Sequence, residues 1–259
     1  MVLLTGEPRL HNPVYTLMAI VDTTLAMNFR SLHFIAIACL AAPPAMAGLM
    51  DLSLSFDSRP SAQGWVYNNP YSGTAESRWV ATGTSLVENG VGIGLGPFQG
   101  FSWYNYTPGV AEYSAVLPWT LTVTVKITDD EYFGPIYRHG YANYVFLGGY
   151  GFGFGVDREN VNMWDGDNFA VDVGSDFRTF TLSGDPISHN YSLRMDGTLI
   201  DAGVMAAGGD SIYMGDVTNN HNVDAEITSW QLSQVPEPST WILAVTSLAW
   251  VGISRRSKR

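Results

Sequence analysis

Between Met163 and Asp176 the chain reads MWDGDNFAVDVGSD, which places Asp165, Asp167, Asn168, Asp172 and Asp176 close together with Trp164 beside them. Closely spaced oxygen donors on a loop can coordinate Ca²⁺, and an adjacent aromatic face can stack on a sugar ring. The order departs from an EF-hand loop, which carries oxygens at positions 1, 3 and 5 and Gly at 6, because Gly166 directly follows Asp165. Trp164, Asp165, Asp167 and Asn168 are therefore candidate ligand- or Ca²⁺-binding residues. The plainer reading stands beside this one: Asp and Asn stabilise a turn between two strands. No other cofactor is implied.

A second group is aromatic. In FSWYNYTPG, alternation sets Trp103 on the face opposite Tyr104, with Phe101 and Tyr106 nearby. One side of such a strand must pack in a core, which leaves the other as a carbohydrate platform. Nucleophile and metal patterns are missing: there is no H-E-x-x-H and no G-x-S-x-G. His139, His189 and His221 do not pair with one another at i, i+2 or i+4, so they read as loop or hairpin residues.

Short strands must carry these groups. LTVTVKI points Leu121, Val123, Val125 and Ile127 one way and Thr122, Thr124 and Lys126 the other, the pattern of a half-buried antiparallel strand. YSLRMDGTLI alternates likewise, and Asp196-Gly197 supplies the φ > 0 residues of a tight hairpin. GVGIGLG (from Gly90) and GYGFGFGV (from Gly149) put glycine on one face of a strand, where an aromatic or a second layer can approach closely. Neither fits the dinucleotide fingerprint, since no helical pattern follows. With no sustained 3.6-residue period over residues 48–233, the expectation is one all-β domain, an antiparallel sandwich or jelly roll.

Charge narrows the partners. Between Gly48 and Val235, seven Lys and Arg stand against 21 Asp and Glu, a surface that repels polyphosphates and excludes nucleic-acid binding. Divalent cations, neutral glycans and basic partners are compatible with it. The sole cysteine, Cys39, falls in a segment expected to be removed, which leaves a chain without disulfides or thiol chemistry.

That segment, residues 27–47, has Arg30, an apolar stretch from Leu32 to Ala42, and Ala45-Met46-Ala47 before Gly48. It reads as a secretory signal peptide cut after Ala47, with Ala45 and Ala47 as the small cleavage-site residues and the Sec translocon and signal peptidase as partners. Residues 1–26 are then an upstream mis-start or a disordered extension, and Met27 is the expected first residue.

At the other end, Pro236-Glu237-Pro238 precedes an uncharged apolar helix, residues 241–254, and the basic cluster Arg255, Arg256, Lys258 and Arg259. Fourteen residues span about 21 Å, short of the roughly 30 Å of a bilayer core. The basic cluster would stay cytoplasmic and leave the acidic domain outside. Residues 235–259 resemble the PEP-CTERM sorting signal of exopolysaccharide-producing Gram-negative bacteria. The resemblance implies an exosortase as partner, Pro236, Glu237 and Pro238 as recognition residues, and a chain held briefly at the inner membrane before release to the cell surface or matrix.

The closing stretch, HNYSLRMDGTLIDAG followed by SIYMGDVTNNHNVDAEITSWQLS, resembles the end of concanavalin A-like, laminin-G-like sandwiches, with an immunoglobulin-like sandwich as the alternative. Glycoside hydrolases on that fold carry E-x-D-x-x-E on one strand, so that alternation aims the carboxylates into one cleft. None of Glu76, Glu88, Glu112, Glu131, Glu159 and Glu226 begins such a spacing. The expected function is therefore a non-catalytic exported domain that binds or organises extracellular polysaccharide. The alternatives are a purely structural or protein-interaction module and a divergent glycan-acting enzyme.

Overall fold

The computed structural model describes residues 49–69, 75–91, 102–132, 140–174, 176–217 and 221–234. The expected signal segment with Ala45 and Ala47, the Pro236-Glu237-Pro238 motif, the apolar run 241–254, the basic cluster from Arg255 to Arg259, Phe101 and His139 lie outside these residues.

Alternation builds the longest strands. In β6 (Trp119–Tyr132), Leu121, Val123, Val125 and Ile127 are buried while Thr120, Thr122, Thr124 and Lys126 are partly exposed, as the sequence predicts. The antiparallel partner β16 (His221–Gln234) runs beside it for its whole length. An irregularity between Ile227 and Ser229 shifts the pleat by one residue, so Ile227 and Trp230 both face inward.

Around this pair the first sheet runs β13 (Thr198–Val204), β12 (Asn190–Met195), β11 (Arg178–Asp185), β6, β16, β4 (Leu86–Asn89) and β3 (Trp79–Ala81). The free side of β16 is shared end to end, by β4 along its first half and by β1 (Asp51–Ser53) near its close. The β12–β13 hairpin turns at Asp196 and Gly197, whose φ values of 49° and 81° are those of the expected primed turn.

The second sheet runs β10 (Asn168–Ala170), β9 (Asn160–Met163), β8 (Tyr150–Val156), β7 (Tyr141–Leu147), β15 (Ser211–Asp216), β5 (Ser102–Tyr106) and β2 (Val66–Asn68), with β14 (Ala206–Ala207) beside β8. Every ladder between these strands is antiparallel. The chain passes from one sheet to the other at β1–β2, β2–β3, β4–β5, β5–β6, β6–β7, β10–β11, β13–β14 and β15–β16. The result is an all-β antiparallel sandwich of two sheets. Among the described residues the helices are two short 3-10 turns, Pro60–Gln63 and Glu76–Arg78, and neither is long enough to cross a membrane.

Aromatic contacts across the gap hold the sheets together. Phe152 stacks on Tyr191 at 3.7 Å and 11°, Phe154 meets Phe180 at 5.3 Å, and Trp65 meets Trp230 edge-on at 5.2 Å. Burying each such ring contributes about 1.5–3 kcal/mol. Two indoles also find polar partners across the gap: Trp230 Nε1 donates to Asn143 Oδ1 at 2.9 Å, and Trp79 Nε1 donates to Ser102 Oγ at 3.2 Å.

Candidate functional site

Residues directly opposite in an antiparallel ladder share a face, so the registers of the second sheet can be read as rows. On its outer face one row is Asn168, Asn162, Gly155, Ala142, Gly215, Trp103 and Asn68. The next is Gly153, Tyr144, Tyr213, Asn105 and Val66, and a third holds Gly151, Phe146 and Ser211. Glycines on β8 thus leave room for the rings of β7, as the bare-face reading of GYGFGFGV predicts.

Trp164 completes this surface. Its N–H donates to the Gly153 carbonyl at 3.1 Å, which extends the β8–β9 ladder into the turn. Its indole stands edge-on to Tyr144 at 5.0 Å and to Phe146 at 6.0 Å. Those two rings are 4% and 8% exposed, whereas Trp164 is 50% exposed. A large ring is therefore propped in solvent by a buried aromatic base. Tyr213 meets Tyr144 at 6.5 Å, and Trp103 and Tyr213 are both partly exposed. Burial pushes the Tyr144 hydroxyl far up, and the Asp216 charge adds to the shift. The three rows carry no lysine, arginine or carboxylate, and they carry amides at Asn68, Asn105, Asn162 and Asn168. Asn168 Nδ2 donates to Asn162 Oδ1 at 2.9 Å, and Asn105 Oδ1 accepts no hydrogen bond.

The acidic stretch after Met163 forms the turn between two strands. Gly166 N–H donates to the Met163 carbonyl at 3.0 Å, Met163 N–H to that of Asp167, and Asp167 N–H to Asp165 Oδ1 at 3.3 Å, so Trp164 to Asp167 make the β9–β10 turn. Asp172 follows β10, with Asp176 beyond it. No cluster of three His, Cys, Asp or Glu suited to a metal ion occurs among the described residues. In FSWYNYTPG the expected alternation holds: Tyr104 is fully buried against Trp79 at 5.0 Å, Tyr106 packs on Trp65, and Trp103 faces outward.

One expectation needs correction. His189 does sit in a turn, but His221 is the buried first residue of β16, in phase with the core residue Val223. Its Nε2 lies 3.3 Å from Asp130 Oδ2, and its Nδ1, 3.9 Å from Asp157 Oδ2, has no hydrogen-bond partner. The hydrogen bond to His221 holds the Asp130 carboxyl below the usual range. Asp157 accepts bonds from the Glu159 and Asn160 N–H groups and from the side chains of Asn160 and Asn162.

Two further carboxylates, Glu88 and Asp216, face one another in the core at this same end. Their signal in the sequence is polar residues in apolar phase: Glu88 two after Leu86, and Asp216 two after Met214.

No protein-family model matches the chain, and no curated protein matches it. Among solved structures, it is similar to a native glycosidic hydrolase (12% identity, TM-score 0.45, 74% of this chain and 99% of that one). It is also similar to a prokaryotic beta-1,3-1,4-glucanase (lichenase) derived from a mouse hindgut metagenome (12%, 0.44, 72% and 99%). A third is the Botulinum neurotoxin serotype D binding domain (10%, 0.40, 77% and 50%). At these levels the likenesses assign no activity.

Proposed function

We propose that this chain is an exported, non-catalytic protein of a Gram-negative cell surface or matrix, and that its concanavalin A-like sandwich binds extracellular polysaccharide on the outer face of the second sheet. The observation that carries the reading is Trp164, half in solvent and held edge-on by buried Tyr144 and Phe146, on the sheet face that also carries partly exposed Tyr213 and Trp103 and several amides. Flat rings stack on pyranose faces, and amides serve hydroxyls as donors and acceptors. The absence of lysine and arginine from these rows favours an uncharged glycan. The absence of paired carboxylates there favours binding over hydrolysis, which needs two of them flanking the bond. In the same reading, the tail from Pro236 hands the protein to an exosortase.

The test is a glycan array probed with the full chain in detergent, with Ca²⁺ and with chelator. Trp103→Ala and Trp164→Ala are expected each to weaken binding to a neutral polysaccharide about tenfold, the equivalent of ~1.4 kcal/mol. Chelator should weaken it only if Asp165, Asp167 and Asn168 hold the ion. Undiminished binding by the double variant would sink the platform.

A further inference from the structure

The inner faces of both sheets are apolar along most of their length, and they change character in the row nearest the end where β4, β6 and β15 pass the chain across. There Glu88 of the first sheet points at Asp216 of the second. Glu88 is 1% exposed and Asp216 is fully covered. The Asp216 N–H donates to Glu88 Oε1 at 3.3 Å, and Glu88 Oε2 has no hydrogen-bond partner.

Charged and titratable groups approach Glu88 from several elements: Arg78 at the end of the 3-10 turn Glu76–Arg78, Asp216 on β15, Asp224 on β16, Tyr67 on β2 and Tyr141 on β7. Of these only Arg78 is a cation. It forms no ion pair with Glu88, and its Nη1 donates to no partner either. A carboxylate in this position faces like charge in the buried core and, among the described residues, lacks a contact counter-ion, so ionisation is opposed.

We propose that Glu88 keeps its proton in the folded protein and that the Glu88–Asp216 contact is a pH-operated clasp between the two sheets, closed while Glu88 is the neutral acid and loosened when it ionises. Burial pushes the Glu88 carboxyl well above the usual carboxylate range, and the charge of Asp216 pushes it further. The Asp216 N–H and Arg78 act in the opposite direction and Asp224 reinforces the rise. The folded state therefore binds this proton more tightly than the unfolded chain does. The stability that the proton supplies is complete below the ordinary glutamate value and is lost as pH rises through the folded one. On ionisation the proton passes to bulk water and a bare carboxylate is left between the sheets, which drives this end apart. This clasp is independent of the glycan platform, which lies on the opposite face of the second sheet.

The test is denaturant unfolding of the full chain from about pH 5 to pH 8. The wild-type midpoint is expected to fall as pH rises, and Glu88→Gln, a permanent neutral amide of the same shape, should flatten that fall. An equal fall in the variant would overturn the clasp. Should Glu88→Gln not fold, Asp216→Asn serves: removing the neighbouring charge lowers the pH at which Glu88 ionises and narrows the window of lost stability, and an unchanged window would overturn the proposal. A midpoint raised by Ca²⁺ in wild type but not in Glu88→Gln would place a cation where we place the proton, and would overturn it too.

Discussion

Tyr144 lies over Gly153, and a β-carbon built on that glycine would sit 1.7 Å from the ring's Cδ1. The two residues are opposed in the β7–β8 ladder, so the ring crosses its partner strand where no side chain stands. Trp164 packs against the same ring, edge-on at 5.0 Å. The glycine on β8 thereby helps set the height of an exposed indole in the β9–β10 turn.

Gly153→Ala should displace Tyr144 and with it Trp164. Overpacking of this kind costs about 1–3 kcal/mol. The expected result is a lower denaturation midpoint, altered tryptophan fluorescence and weaker glycan binding together. Wild-type behaviour in all three would mean that Tyr144 does not set the indole's position.

Asn143 offers a second test, inside the sandwich. Its Oδ1 accepts the Trp230 indole N–H, and its Nδ2 has no partner. Asn143→Ala leaves the indole N–H buried and unpaired, at about 1–3 kcal/mol. Asn143→Leu should be no better, since it also lacks the acceptor. Equilibrium unfolding checks both, and a neutral Asn143→Leu would show that the hydrogen bond contributes nothing net.

The contrast between β6 and β7 shows what the sequence could reveal. In β6 one face is wet, so Leu121, Val123, Val125 and Ile127 stand out against Thr and Lys. In β7 all seven residues are buried, because Trp164 and the rings beside it cover the outer face, and YANYVFL carries no alternation to read. The same cover hid most of the platform: Trp164 was legible as an aromatic beside carboxylates, but the rings beneath it come from a strand some 20 residues earlier in the chain. Asp165 and Asp167 are neighbours in sequence, whereas Glu88 and Asp216 meet only because two sheets stack. Polarity at an inward phase was their single local sign.

Acid should unfold the protein through a different set of groups. His221 holds Asp130 low, Lys126 at 2.9 Å holds Glu226 low, and Ser188 holds Asp185 low. Each has a folded value below its unfolded one, so the stability it supplies is present above the ordinary carboxylate range and is lost as pH falls through the folded value. With Glu88 acting in the opposite sense, stability should peak in mildly acidic solution. His221→Asn should shift the acid limb of the profile to higher pH by releasing Asp130, and an unmoved limb would show that the pair is not coupled to folding. Lys126→Met should change little, since ion pairs this exposed contribute about 0–1 kcal/mol.

The proposed sorting role of the tail makes its own prediction, separable from everything the sandwich does. The apolar run 241–254 is short for a permanent span, and Pro236-Glu237-Pro238 sits where a cut would free the domain from it. Glu237→Ala or Pro236→Ala should then leave full-length precursor in the inner membrane of a producing cell, while the glycan binding of the extracted protein stays unchanged. Lengthening the run by six leucines, to about 20 apolar residues, should favour retention without touching the motif. An immunoblot of membrane and released fractions reads both. Normal release of the Glu237→Ala protein would remove the motif from the reading and leave a simple tail anchor.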